Sequence, residues 1–321
     1  MCIKGESEGP AFRTIPVAEA VNSVLAHDIT EIRPGEFKGR AFKKGHIIRE
    51  EDICHLQRLG KERLFVMDIP SGYVHEDDAA ARLALALAGE GVEPEFRPSE
   101  GRINLTAKCD GLLRVDTHAL MRFNMLGDVM CATLHNNTAV RKGRVVAATR
   151  AIPLVVSDDV VETAAAIARE ALDGLISVHE MRRPRAGVVI TGTEIFNGRV
   201  KDSFAGIIAE KIRAYGGEVI RTVYAPDDVT RFAIKRLGAD GLVYGSAALP
   251  GAMLLVAYIG DVPILGVPAC GVHHKTTVFD LVLPRVLAGE KVGREELAEL
   301  GHGGLCLSCE VCRYPVCPFG K

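Results

Sequence analysis

The sequence predicts an α/β protein in which a three-layer domain with a mostly parallel sheet follows an α+β N-terminal region. The uncharged run Val188–Ile190 indicates a strand buried on both faces, as strands of parallel sheets usually are. A polar loop containing Gly192 and Gly198 and then a helical pattern follow it, which is typical of the first unit of an open α/β sheet. With 48% apolar residues, the 321-residue chain can bury more than one core.

Residues 1–178 are expected to form the α+β region, with a break near 70–75 that would divide it into two subdomains. Apolar residues at helical spacing predict helices there, and alternating apolar residues between turn residues predict strands. We expect helices at 17–26, 50–59, 77–88, 118–126 and 158–175, strands within 33–49, 63–69, 103–105, 112–115, 129–134 and 145–156, and an exposed connection at 91–101.

Residues 179–290 are expected to form the α/β domain, because the basic linker Arg182–Arg185 separates it from the preceding long helix. Asp202 and Ser203 are good N-cap residues, and the helix that they open ends at Gly216. Further along we expect a strand at 218–224, a helix that begins at 226–228, a hairpin of strands 253–259 and 262–267, and a helix at 272–287 interrupted by Pro284.

Composition argues against nucleic-acid and membrane partners. The net charge is −2 and there is no Trp to stack on bases. The polar segment Met1–Pro10 does not resemble a signal peptide. Residues 241–260 are all uncharged, a run long enough for a membrane span, but Pro250 and its neighbouring glycines favour two strands and a turn. We therefore expect a cytoplasmic protein.

Two motifs resemble a known family. Thr191-Gly192-Thr193-Glu194-Ile195, then Gly198, then Asp202-Ser203 before a helix, is similar to the opening of the molybdopterin-binding domain. That domain is shared by molybdopterin adenylyltransferases, molybdopterin molybdotransferases and competence-damage-inducible proteins. The segment Ile264–Gly271 resembles the Leu-Pro-Gly-Asn-Pro turn after the last strand of the same families. The resemblance covers residues 185–290.

The resemblance implies a molybdopterin-binding protein of molybdenum cofactor biosynthesis. An enzyme of this kind would be a transferase that inserts molybdate into molybdopterin or activates it with a nucleotide. Glu194 and Asp202 would be the catalytic carboxylates, beside a phosphate and Mg²⁺. The cofactor-binding residues would be Thr191, Gly192, Thr193, Ser203, Pro268, Cys270 and Gly271. The alternative for this stretch is a strand-ending turn followed by an ordinary helix cap.

The sequence also departs from these families. They often have Asp-Glu where this chain has Thr193-Glu194. They also carry a further strand ending in a Gly-Gly loop where this chain passes from Thr230 almost directly to Gly241, so either the protein lacks that loop or a flexible segment is missing from the sequence at this point. Three hypotheses about the function therefore stay open. The protein is a transferase, a carrier or redox sensor without enzymatic activity, or a nucleotide hydrolase like the competence-damage-inducible proteins. The expected partners are molybdopterin or the molybdenum cofactor, a molybdoenzyme and a second copy of the chain.

Residues 291–321 form a cysteine-rich tail. Cys306, Cys309, Cys312 and Cys317 have the spacing C-x2-C-x2-C-x4-C, which resembles the bacterial ferredoxin run and predicts a metal site. An iron–sulfur cluster and a zinc ion with four thiolates both suit this pattern. His273, His274 and Lys275 follow Cys270 and suit a transition metal, or else an exposed helix-capping turn. Because glycines precede the cysteines at Gly301–Gly304, we expect the tail to be dispensable for the fold of residues 185–290.

Overall fold

A computed structural model describes residues 12–33, 37–99, 101–226 and 230–320. The chain forms two compact units. The N-terminal unit comprises Met1–Thr106, Asp116–Thr133 and Val145–Ile176. The C-terminal unit comprises Ala107–Val115, Leu134–Arg144 and Ser177–Lys321, and thus includes two segments from the first half of the chain. The expected boundaries at 178 and 290 stay predictions.

Helices and strands alternate along the described chain, which confirms the mixed α/β class. The helices are α1 (Glu50–Arg58), α2 (Glu76–Leu87), α3 (Thr117–Asn124), α4 (Asp158–Arg169), α5 (Thr193–Phe196), α6 (Phe204–Ala214), α7 (Thr230–Arg236), α8 (Val278–Leu287) and α9 (Arg294–Glu299). The strands are β1 (Phe12–Pro16), β2 (Val24–Leu25), β3 (Ile29–Arg33), β4 (Phe37–Phe42), β5 (Arg63–Met67), β6 (Tyr73–His75), β7 (Val92–Ser99), β8 (Arg102–Ala107), β9 (Gly111–Val115), β10 (Val129–Thr133), β11 (Ala139–Val140), β12 (Val145–Ala151), β13 (Val155–Ser157), β14 (Ile176–Glu180), β15 (Arg185–Thr191), β16 (Glu218–Ala225), β17 (Asp240–Tyr244), β18 (Leu255–Ile259) and β19 (Val262–Gly266).

The N-terminal unit is built from small sheets with strand orders β1-β5-β2, β10-β12-β8-β7, β13-β6 and β3-β4. Helix α4 ends at Arg169 and not at the predicted residue 175, and two other predictions in this unit are wrong. Residues 17–26 form a short 3-10 turn and then β2, because pairing with β5 outweighs a weak helical pattern. Residues 91–101 contain β7, which lies at the edge of its sheet, where Pro94 and Pro98 are tolerated.

In the C-terminal unit, β15 and β16 pair in parallel, with Thr191 opposite Ala225. The order β17-β18-β19 is an antiparallel meander, and its hairpin turn joins Ile259 to Val262 as predicted. Residues 241–260 are therefore two strands and a turn. Helices α6 and α8 pack on these strands through a core that includes Ile208, Ile212, Leu254, Val256, Phe279 and Val282. The mostly parallel character of the sheet stays a prediction beyond the β15–β16 pair.

The prediction that the central strand is buried on both faces is wrong. Ile190 is 5% exposed, whereas the adjacent Val189 is 61% exposed. Side chains alternate between the two faces of a strand, so in the described chain one face of β15 meets the core and the other meets solvent. The apolar run reflects strand propensity more than burial.

The last long helix begins later than predicted. Thr277 caps α8 by accepting a hydrogen bond from the Phe279 N–H, and residues 269–272 form a separate 3-10 turn. Pro284 lies inside α8 without interrupting it. Proline has no N–H to give to the carbonyl four residues earlier, which belongs to Asp280. The hydroxyl of Tyr314 donates to that carbonyl at 2.6 Å, so the tail satisfies the acceptor that Pro284 leaves open.

No helix in the described part of the chain is both long and apolar enough to cross a membrane.

Candidate functional site

The first sequence motif lies at the carboxyl end of β15. Gly192 follows the strand with φ 146°, a conformation that side-chain-bearing residues rarely adopt, and its N–H donates to the Ala225 carbonyl at 3.1 Å. A Cβ added there would lie 3.2 Å from Oε1 of Glu194. The glycine therefore allows the strand to end beside β16 while Glu194 folds back over the turn.

The residues after Gly192 form the short helix α5, where a polar loop was expected. The Phe196 N–H donates to the Gly192 carbonyl at 2.8 Å, and the Arg199 N–H donates to the Glu194 carbonyl at 2.8 Å. These bonds fix the backbone that carries Thr193 and Glu194. The Glu194 side chain is exposed, so its carboxylate is accessible to a ligand.

Asp202 caps the N-terminus of α6 through its side chain, from the position before the N-cap residue Ser203. Its Oδ1 accepts the Phe204 N–H at 2.7 Å and the Ala205 N–H at 3.2 Å, and its Oδ2 accepts the Tyr224 hydroxyl at 3.1 Å. The capping prediction is confirmed for Asp202, whereas the Ser203 side chain makes no capping bond. The hydrogen bond to Asp202 raises the pKa of Tyr224. Sequence reasoning missed Tyr224, whose position near the end of β16 was the available signal.

The second sequence motif packs against the first. Gly271 is buried, and a Cβ added to it would lie 3.0 Å from the ring of Phe204, the first residue of α6. The turn at Pro268–Gly271 therefore lies beside the helix that Asp202 caps. Cys270 in this turn is half-buried, and its carbonyl accepts the N–H groups of His273 and His274. The structure thus brings together two motifs that are more than 60 residues apart in the chain.

A third cluster connects this turn to the helices. Lys211 of α6 donates to Oδ1 of Asp280 at 2.5 Å and to the Lys275 carbonyl at 2.8 Å. Neither Lys211 nor Asp280 was singled out from the sequence. Their ion pair fixes the segment after His273 and His274, whose side chains are exposed.

The four tail cysteines occupy different environments. Cys306 and Cys317 are half-buried and pack against the core of the C-terminal unit, whereas Cys309 is exposed. The Cys312 thiol lies 3.1 Å from the hydroxyl of the buried Thr276. Hydrogen bonds with Thr276 and from the Tyr314 N–H lower the pKa of Cys312, and the charge of Lys275 contributes.

Within the described residues, no group of three or more His, Cys, Asp or Glu side chains is arranged to hold a metal ion. The tail cysteines as placed do not form a four-thiolate cage, and Glu194 and Asp202 do not form a closed cation site with a third ligand. The iron–sulfur or zinc site and the Mg²⁺ site stay predictions.

Comparison with known proteins identifies two segments. Residues 187–243, which span β15 to β17, match a family model described as a probable molybdopterin binding domain. This match confirms the resemblance for the first motif and the strands that flank it. Residues 14–68 match a domain of unknown function (DUF8806). No curated protein matches the chain.

Solved structures show a weaker likeness. A molybdenum cofactor biosynthesis protein from Pyrococcus furiosus is 15% identical with a TM-score of 0.22, covering 88% of this chain and 66% of its own. A molybdopterin biosynthesis MoeA protein from Pyrococcus horikoshii is 14% identical with a TM-score of 0.28, covering 88% of this chain and 77% of its own. The functional proposal therefore rests on residues 187–243.

Proposed function

We propose that the chain binds molybdopterin and acts in molybdenum cofactor biosynthesis. The observation that carries the proposal is the match of residues 187–243 to the model of a probable molybdopterin binding domain, in which the turn at Gly192 lies at the carboxyl end of a parallel strand pair. Ligands of open α/β sheets bind at such strand ends. The turn at Pro268–Gly271 packs beside Phe204, the first residue of the helix that follows Asp202.

The residues at this strand end suit a polar, phosphorylated heterocycle. The hydroxyls of Thr191, Thr193 and Ser203 can donate to phosphate oxygens or accept from ring N–H groups. The exposed carboxylate of Glu194 can accept from the amino-pyrimidine edge of a pterin. Gly192 keeps the centre of the turn free of a side chain.

Mg²⁺ is compatible with this arrangement, although the described residues alone do not form a complete cation site. Mg²⁺ is commonly held by one or two carboxylates together with phosphate oxygens of the ligand and water. Glu194 and Asp202 would supply the protein's share. Asp202 already accepts three hydrogen bonds, so its charge is offset in part and Glu194 would be the stronger ligand.

Titration calorimetry with molybdopterin, with and without Mg²⁺, tests the site. We expect saturable binding that Glu194→Gln weakens about tenfold, since a charge-assisted contact contributes on the order of 1.5–3 kcal/mol. Asp202→Asn keeps an oxygen to cap α6 but removes the charge, so it separates cation binding from helix capping. Asp261→Asn, in the exposed hairpin turn, is the matched control. Parent-like binding by both site variants would show that the ligand lies elsewhere.

A carrier without turnover is the second candidate, and one observation favours it. Helix α7 ends at Arg236 and β17 begins at Asp240, so three residues connect them and leave no room for the additional strand and Gly-Gly loop of the related enzymes. Incubation with molybdopterin, molybdate, Mg²⁺ and ATP distinguishes the candidates. Metallated or adenylylated product would identify a transferase, binding alone would identify a carrier, and AMP release from a dinucleotide would identify the hydrolase.

A further inference from the structure

A cavity in the C-terminal unit lies away from the strand-end site. It has a volume of about 470 Å³ and lies between the segment Leu134–Arg144 and the tail turn Pro315–Pro318. Arg141, which lines it, donates to the carbonyl of Ala214 at the last turn of α6. The strand-end site lies at the first turn of the same helix, so the two are separated by about 15 Å along its axis. The volume is within the range of small-molecule sites.

Both walls of the cavity are fixed by the fold. On one side, β11 pairs with β9, and Thr138 and Val140 are buried. On the other side, the tail turn is flanked by Tyr314, whose hydroxyl bonds to α8, and by Phe319, which is 4% exposed in the core. A cavity whose walls are already ordered loses little conformational freedom when a ligand enters.

The lining has an apolar surface and a positive rim. Leu134, Val140, Pro315 and Val316 supply apolar surface, and Arg141, Arg144 and His135 lie around it. Arg141 is paired with Asp110 at 2.7 Å, which offsets its charge. Within the described residues, Arg144 has no carboxylate within salt-bridge distance, and its backbone alone is hydrogen-bonded. The rim therefore carries one uncompensated positive charge beside an apolar surface.

We propose that this cavity binds a small organic anion with an apolar body, in which Arg144 contacts the anionic group and Val316 and Leu134 contact the body. Guanidinium groups bind carboxylate, sulfonate and phosphate oxygens through paired N–H donors. The half-buried thiol of Cys317 lines the same cavity and is covered when the ligand enters. The site is independent of the proposed molybdopterin site.

The cysteines of the tail provide a position-specific readout in the full-length protein. Cys317 lines the cavity, whereas Cys309 is exposed and does not line it. With 8-anilinonaphthalene-1-sulfonate as the probe, we expect iodoacetamide to alkylate Cys317 about tenfold more slowly while the rate at Cys309 is unchanged. Mass spectrometry of tryptic peptides measures both rates in one sample. N-phenyl-1-naphthylamine, which has the same rings without the sulfonate, is expected to protect Cys317 far less.

Two variants test the assigned contacts. Arg144→Ala should weaken binding of the sulfonate probe about tenfold and Arg144→Lys should restore part of it, since the lost contact is charge-assisted. Val316→Trp should fill the cavity and abolish protection of Cys317 without altering the rim charge. Arg221→Ala, on exposed β16, is the control. Thermal unfolding of each variant verifies that the fold is retained.

The proposal is overturned if the sulfonate probe leaves the Cys317 rate unchanged, or if Arg144→Ala and Val316→Trp bind it like the parent protein. Equal protection by the sulfonate and the uncharged analogue would overturn the anion assignment. Molybdopterin in place of the probe separates the two sites: protection of Cys317 by molybdopterin would place the pterin in this cavity and contradict the independent-site proposal. Loss of molybdopterin binding in the Glu194 variant leaves the cavity result unaffected.

Discussion

The cysteines of this chain differ in thiol pKa, and therefore in reactivity, because their surroundings differ. Burial raises the pKa of the Cys131 thiol to about 12, whereas Thr276 and the Tyr314 N–H lower the pKa of Cys312. The thiolate is the reactive form, so at neutral pH Cys312 should react and Cys131 should remain inert until the protein unfolds. Both residues carry a thiol. Their pKa values differ because desolvation dominates at Cys131 and hydrogen bonding dominates at Cys312.

The alkylation rate of Cys312 should therefore reach half its maximum at a pH below the usual cysteine value of about 8.5. Thr276→Val removes the hydroxyl at nearly constant shape and should move this midpoint upward. Peptide mapping after iodoacetamide treatment at a series of pH values gives the midpoint. Thr222→Val, on exposed β16, should leave it unchanged. A parent midpoint at or above the usual value would contradict the assigned hydrogen bonds.

Glu290 makes the stability of the C-terminal unit depend on pH. Burial acts to raise the pKa of Glu290, but hydrogen bonds from the Arg285 guanidinium at 2.8 and 2.5 Å and the nearby charge of Arg114 lower it below its usual value. Because the folded pKa lies below the unfolded one, the carboxylate's contribution is complete above the unfolded value of about 4.3 and is lost as the pH falls through the folded value.

Glu290→Gln should destabilise the unit by about 3 kcal/mol, because Arg285 is 3% exposed and would be left as a buried charge without its partner. The variant should also lose part of the decline in stability below about pH 4. Urea unfolding at several pH values measures both effects. Glu295→Gln, which is exposed on α9, should change stability little. Equal stability of the parent and the Glu290 variant at pH 7 would contradict this assignment.

Helix α8 depends on the tail for one of its hydrogen bonds. Pro284 leaves the Asp280 carbonyl without a helical N–H, and the Tyr314 hydroxyl replaces it. Tyr314→Phe should therefore cost about 1–2 kcal/mol, since a buried acceptor loses its partner. Pro284→Ala supplies a backbone N–H to the same carbonyl, so Tyr314→Phe should cost less in that background. A double-mutant cycle by chemical unfolding should show a coupling energy of at least about 0.5 kcal/mol. Additive effects would mean that the two groups do not share this acceptor.

Pro284 and Tyr314 show which features of the fold can be predicted from the sequence and which cannot. Local patterns predicted the cap at Asp202, the hairpin at Gly260 and most helices, because caps, turns and periodicity are properties of neighbouring residues. The sequence also suggested that Pro284 interrupts α8, which is wrong. The hydroxyl of Tyr314 replaces the missing N–H, but Tyr314 lies 30 residues after Pro284, so no local pattern predicts this contact.

Some residues of the candidate site could be identified from the sequence, and others only from the fold. Thr191–Glu194 and Pro268–Gly271 were identified from motifs, whereas Tyr224, Lys211 and Asp280 were found only from their positions in the fold. Burial of Val189 was overestimated because an apolar run cannot specify which faces of a strand are covered. The spacing of the tail cysteines predicts a shared metal site, and this stays a prediction; spacing alone could not show that Cys306 and Cys317 are half-buried whereas Cys309 and Cys312 are exposed.

The tail belongs to the C-terminal unit. Phe319 is 4% exposed in the core that also contains Phe279 and Leu297, and Cys306, Tyr314 and Cys317 pack against it. The expectation that the tail is dispensable is therefore revised. Phe319→Ala should destabilise the unit by about 3–5 kcal/mol because it leaves a cavity. Leu307→Ala, at a tail position 72% exposed, should cost less than about 0.5 kcal/mol. Thermal unfolding compares the two, and similar losses would show that the tail is not packed as described.

The backbone of the tail is held at both ends. The Cys306 N–H donates to the Leu249 carbonyl at 2.9 Å, and the Gly320 N–H donates to the Gly303 carbonyl at 3.0 Å. The residues between, including Leu307 and Val311, are exposed, and such segments are preferred sites of proteolytic cleavage. A protease cut there would leave two pieces, each still anchored. The nicked protein would then elute from a sizing column as the intact one does, and the cut would become visible only on a denaturing gel.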